Sequence, residues 1–139
     1  MAVIKWQDCY TTGIAAFDRD HQKLVELINT VYAAIRSGQA EERIEALLDP
    51  FFEYAGHHFS REEEVMKNHS FPGYDAHRDE HLAFTKKISA MRQSLADGQR
   101  TEGMALELLN LLRHWLLNHI MLTDKEYAPF LQGLQWDGE

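Results

Sequence analysis

The chain is expected to be all-α, an up-down-up-down antiparallel four-helix bundle with an extended N-terminal arm and a short C-terminal helical turn. Three observations predict it. Apolar residues recur at steps of three and four in four successive segments. Gly, Pro and Asp signals separate those segments. No strand-like alternation of useful length and no internal repeat interrupts them. The length of 139 residues suits one domain over 1–139, and 45% hydrophobic with 26% charged residues is enough to bury a core.

Residues 1–17 read as the arm, and Asp18 as the N-cap of a first helix whose apolar face carries His21, Leu24, Ile28, Val31, Tyr32 and Ile35, stopped by Gly38. A second helix is expected from about Glu41 to Asn68, with Ile44, Leu47, Leu48, Phe51, Tyr54 or Ala55, His58, Glu62 and Val65 along its stripe. Pro50 predicts a kink, or a helix start near Asp49. After the turn Ser70 to Gly73, a third helix runs from about Tyr74 to Ala96 with His77, His81, Phe84, Ile88 and Leu95 on one side. The fourth begins near Thr101 and carries Leu108, Leu112, Trp115, Leu116, His119 and Ile120. A last turn over Lys125 to Leu131, broken at Pro129, ends the bundle at residue 131, with 132–139 as tail. Short loops between amphipathic helices favour antiparallel neighbours.

Composition excludes several classes of partner. A net charge of -8 without a basic stripe argues against nucleic acid, since phosphate binding needs clustered cations. No stretch approaches the roughly 20 apolar residues that span a bilayer, so no membrane insertion is expected. The N-terminus lacks a secretory pattern, and a cytoplasmic location follows as the expectation. Cys9 is the only cysteine, which rules out an intrachain disulfide and a thiolate cluster. A bound metal would have to use His, Asp or Glu.

Histidines sit on the core-facing stripes beside other ionisable groups. His58 and Glu62 are four apart, as are His77 and His81, so each pair projects from one helical face. His119 and Asp124 are five apart, so Asp124 must lie where the helix ends or loosens; His21 adds one imidazole from the first helix. Each element has a mundane explanation by itself. A lone core histidine, a solvated run Glu62 to Glu64, surface histidines at 77 and 81, or a capping Asp124 would each be ordinary in isolation. Together, seven polar groups among Leu, Phe, Met and Trp would cost about 1–3 kcal/mol each without partners, against a folding stability of about 5–15 kcal/mol. A pair of cations satisfies them at once. Two six-coordinate metals offer twelve positions. Five histidines, two bridging carboxylates and one bridging oxygen leave one open, as a small-ligand site requires. Imidazole with carboxylate suits iron, zinc, copper or manganese alike.

The segments FDRDHQKL, HFSREEEVM, HRDEHLAF and HWLLNHIMLTDKEY, with the early Trp6, resemble the bacterial hemerythrins over nearly the whole chain. The resemblance implies reversible dioxygen binding, without catalysis, at two iron ions per chain bridged by an oxo or hydroxo group. It assigns His77, His81 and His119 to one iron, His21 and His58 to the other, which keeps the open position, and Glu62 and Asp124 to bridges. It places Phe59, Trp115, Leu116 and Ile120 around the oxygen pocket, and leaves His57, His69 and His114 without a ligand role. Asp20 stands where the family often has Gln, a departure expected to alter hydrogen bonding beside His21. A di-iron oxidase or peroxidase is the principal competing function, ranked lower because five neutral imidazoles stabilise high-valent iron poorly. A sensor acting through a separate, unidentified protein recipient ranks below it, and a bundle held by structural zinc is disfavoured by the number of candidate ligands.

Overall fold

Each apolar stripe needs a facing surface, and four of them bury one another around a common interior. The computed structural model describes residues 5–7, 10–99, 103–119 and 124–132, and the side chains of these except Glu41, Asp124, Lys125, Leu131 and Gln132. The helices are α1 (Ala15–Arg36), α2 (Ala40–Asn68), α3 (Tyr74–Ala96), α4 (Met104–Asn118) and α5 (Asp124–Gln132). The first four form a four-helix bundle in which α1 packs on α2 and α4, and α2 on α3. Side chains join α3 to α4, where Phe84 stacks on Trp115 at 4.0 Å between ring centroids.

The chain enters α1 three residues earlier than expected, because Asp18 acts from inside the first turn rather than before it. Its carboxylate accepts from the Thr12 N–H at 2.7 Å, the Thr12 hydroxyl at 2.8 Å and the Gly13 N–H at 3.2 Å. Those groups precede the helix, so the carboxylate ties the incoming backbone to the turn it opens, and residues 15–17 belong to α1 instead of the arm. Upstream, Tyr10 is buried in the main core and packs edge-on against Trp6 at 5.4 Å.

Three helices stop by the same device. After α1, the Gly38 N–H donates to the Ile35 carbonyl and the Gln39 N–H to the Ala34 carbonyl, with Gly38 at φ 75°. After α3, Gly98 and Gln99 repeat the pattern. After α2, the left-handed position is filled by Ser70 at φ 56°, a conformation that a residue with Cβ adopts at a cost. The helix start expected near Thr101, which lies outside the described residues, falls at Met104, after Gly103 at φ 82°.

Neither proline breaks its helix. Pro50 lies on the exposed side of α2, which runs unbroken from Ala40 to Asn68, and Pro129 lies inside α5. Each removes one backbone donor, and the buried faces on either side hold the element together. For α2 these faces are Ile44, Leu47, Leu48 and Phe51, then Ala55, His58 and Phe59.

The interior has two apolar parts. The larger follows the bundle from Leu24 to Ala34, Ala40 to Phe59, Phe84 to Leu95 and Met104 to Leu116. The smaller closes one end, where Phe17, Met66, Phe71, Tyr127 and Ala128 meet. A layer of buried polar side chains lies between them.

Candidate metal centre

That polar layer contains the histidines singled out by spacing. His21, on α1, lies one turn past Phe17; His58 and Glu62 lie on α2, His77 and His81 on α3, and His119 just past the last residue of α4. All are buried, none more than 2% exposed, and Glu62 is fully enclosed. Their donor atoms fall into two adjoining groups, Glu62, His77, His81 and His119, and His21, His58 and Glu62, with the atoms of each group within 4.8 Å of one another.

Glu62 belongs to both groups and divides its two oxygens between them. Oε1 lies 3.4 Å from His77 Nε2 and 3.3 Å from His81 Nε2. Oε2 lies 3.2 Å from His58 Nε2 and 3.5 Å from His21 Nε2, and accepts a hydrogen bond from the Tyr127 hydroxyl. Burial alone would push the Glu62 carboxyl upward, yet the facing His58 charge and the hydrogen bonds from His21, His58 and His77 hold it well below the usual carboxylate range. Burial likewise opposes charge on His58, and Glu62 and Asp20 together raise its pKa nevertheless.

The outer nitrogens decide which way the rings present their lone pairs. His58 Nδ1 is 2.7 Å from Asp20 Oδ2, His81 Nδ1 is 2.8 Å from Glu63 Oε2, and His119 Nδ1 is 3.5 Å from Glu80 Oε1. For His58 and His81 the contact is a hydrogen bond, and a carboxylate at Nδ1 keeps a proton on that side, so that Nε2 is the nitrogen each ring can turn to a metal. His81 Nε2 and His119 Nε2 then face each other at 3.1 Å. Imidazole nitrogens gathered this closely around one buried carboxylate, within 4.8 Å of one another in each group, make a donor set that fits a metal.

Asp20, Glu63, Glu80 and Tyr127 join the site without any spacing signal that assigns them to it as ligands. Asp20 had only the signal of standing next to His21 in the sequence. Asp20 accepts hydrogen bonds from Tyr54, His58 and Arg61 on α2. The remaining three had none, since their roles depend on which helix lies opposite. Burial pushes the Asp20 carboxyl upward, and the His58 contact, aided by Tyr54 and Arg61, brings it below the ordinary value.

Of the apolar residues expected around the pocket, Phe59 stacks on His81 at 4.0 Å, and Trp115 stacks on His119 at 4.4 Å and meets Phe59 edge-on at 5.3 Å. Leu116 is buried in the main core. The aromatic wall therefore lies against the Glu62, His77, His81 and His119 group. Behind Phe59, an apolar cavity of about 30 Å³ lies between α2 and α3, with Thr85 the only side chain in its wall that carries a polar atom. Ile120 lies outside the described residues. Asp124 is the first residue of α5, and its side chain is likewise outside them. His57, His69 and His114 belong to neither donor group.

A four-helix bundle with buried imidazoles and a shared carboxylate at its centre belongs to the class of non-heme metal-binding bundles. Within that class the chain is a member of the hemerythrin family, because the family model described as the Hemerythrin HHE cation binding domain matches residues 12–131. It is 33% identical over 128 residues to a protein named Bacteriohemerythrin from Stenotrophomonas maltophilia (strain R551-3), covering 92% of this chain and 81% of that one. A Myohemerythrin from Theromyzon tessulatum is 23% identical over 123 residues, covering 88% and 89%. A crystal structure of wild-type hemerythrin superimposes with a TM-score of 0.85 at 24% identity, over 95% of this chain and 100% of that one, a likeness of fold.

Proposed function

We propose that the chain binds dioxygen reversibly at a pair of non-heme iron ions. His77, His81 and His119 would hold one ion, His21 and His58 the other, and Glu62 and Asp124 would bridge them together with an oxo or hydroxo group. The observation that carries this reading is the division of the Glu62 oxygens, one toward each histidine group at 3.2 to 3.5 Å. Membership of the hemerythrin family supports iron over the other metals that the ligand set would accept.

Two ferrous ions so placed would supply the electrons that hold dioxygen in reduced form. The protein's own part is to position and to enclose. Carboxylates hydrogen-bonded at Nδ1 fix the ring orientation of His58 and His81. Phe59, Trp115, Leu116 and Ile120 form the proposed oxygen pocket, and an apolar wall keeps water and protons from the bound gas. The Tyr127 hydroxyl holds Glu62 in the register that serves both groups.

A reduced, iron-loaded sample admitted to air under spectroscopic observation tests this. A visible charge-transfer band that appears with air and disappears under vacuum is the expected result, and a single irreversible change overturns it.

One observation favours a second reading, oxidation chemistry at the same centre. Three of the imidazoles have carboxylates behind them, so the ligand set is more electron-donating than five neutral histidines. Steady-state consumption of peroxide with a reductant, abolished in His58→Ala, would establish that reading in place of a carrier. The proposed compartment is the cytoplasm; among the described residues no helix is long and apolar enough to cross a membrane. The proposed role needs no nucleic acid, and a protein recipient of oxygen or of a signal would act from outside the bundle.

A further inference from the structure

Asp20 is a buried acid from α1, 3% exposed, and three groups on α2 donate to it. His58 Nδ1 lies 2.7 Å from Oδ2, Arg61 Nη1 3.3 Å from the same oxygen, and the Tyr54 hydroxyl 3.0 Å from Oδ1. Tyr54, His58 and Arg61 succeed one another at four and three residues, so a single face of α2 presents all three. A carboxylate survives burial only when its lone pairs are met in this way.

The carboxylates behind the His81 and His119 rings are placed differently. The Glu63 side chain is 24% exposed and the Glu80 side chain 46%, so water screens both, whereas the Asp20 side chain is 5% exposed. Water therefore screens its charge less than theirs. The partner of Asp20, His58, belongs to the donor group that has the fewer imidazoles among the described residues.

We infer that Asp20 is a positioning residue that pins His58 with Nε2 turned inward and loads the His21 and His58 position with negative charge, favouring the oxidised state of a metal held there. The inference rests on the di-iron reading and adds to it a residue that sets the potential. Arg61 is the counterweight. It lies on the outer side of the same carboxylate, 38% exposed, and withdraws part of the charge.

The experiment uses the full chain loaded with iron, with redox titration and competition against a chelator as readouts. Asp20→Asn removes the charge, keeps an oxygen that can accept from Nδ1, and turns its NH2 to the Tyr54 hydroxyl, whose oxygen can accept from it. Its midpoint potential should rise by about 59 mV for each tenfold loss of preference for the oxidised ion, and the iron should be removed roughly 10 to 100 times more readily. Arg61→Gln should move the potential the other way, a reversal that a purely structural contact would not produce. If the parent protein holds no iron, the di-iron reading fails. If the parent holds two irons and Asp20→Asn changes the potential by less than about 18 mV, a twofold effect, the inference fails alone. Should Asp20→Asn not fold, Arg61→Gln decides: a downward shift supports the role of the carboxylate, and an unmoved potential overturns it.

Discussion

Glu62 is the side chain on which the polar layer turns. It is fully buried, faces four imidazoles and takes a hydrogen bond from Tyr127. Glu62→Ala removes a bridge and, among the described side chains, the one buried anion common to both groups. Iron should fall from two to less than one per chain by metal analysis; two irons retained would refute the bridging role. Stability should drop by about 3–5 kcal/mol in denaturant titration, the range for breaking a buried ion pair by removing one partner. At the same scale, the short approach of His81 and His119 brings imidazoles from different helices within reach of one proposed ion.

The helices are bounded by local devices that can be tested one at a time. Asp18 holds two backbone donors and one hydroxyl at the start of α1, so Asp18→Ala should cost about 1–2 kcal/mol, read as a lower denaturation midpoint with unchanged slope. Because α1 carries His21 one turn further on, fraying there would also loosen iron. At the end of α2, Ser70 occupies a left-handed position on the exposed surface. Ser70→Gly should therefore stabilise the protein, by roughly 0.5–1 kcal/mol, and a loss of stability would show that the serine side chain contributes more than its backbone strain removes.

Across the whole molecule, the polar layer divides the larger apolar core from the cap formed by Phe17, Met66, Phe71 and Tyr127. Such a layer weakens the bundle unless something satisfies it, so metal and fold are coupled. A ligand present at a thousand times its dissociation constant contributes about 4 kcal/mol, and a chain of this size shifts by roughly 3 °C per kcal/mol. Stripping the iron with a chelator should lower Tm by about 10 °C in calorimetry. An unchanged Tm would mean that the polar layer satisfies itself through internal hydrogen bonds.

The period of the apolar residues, the His and Glu spacings and the glycine stops determined the four helices and the six buried ligand candidates within the described side chains, because each of those signals is local to one helix. Residues 58 and 62, or 77 and 81, share a face whatever lies opposite them. Contacts that cross between helices came from the packing instead: Glu62 splits its oxygens, Asp20 reaches His58, Glu63 leaves the solvated face to meet His81, and Phe59 and Trp115 lie against His81 and His119. The earlier start of α1 belongs with these, since Asp18 caps through groups outside the helix that the apolar period does not include. A buried charge takes whichever donor the neighbouring helix presents, and that depends on how two helices cross, which no spacing along one stretch of sequence encodes.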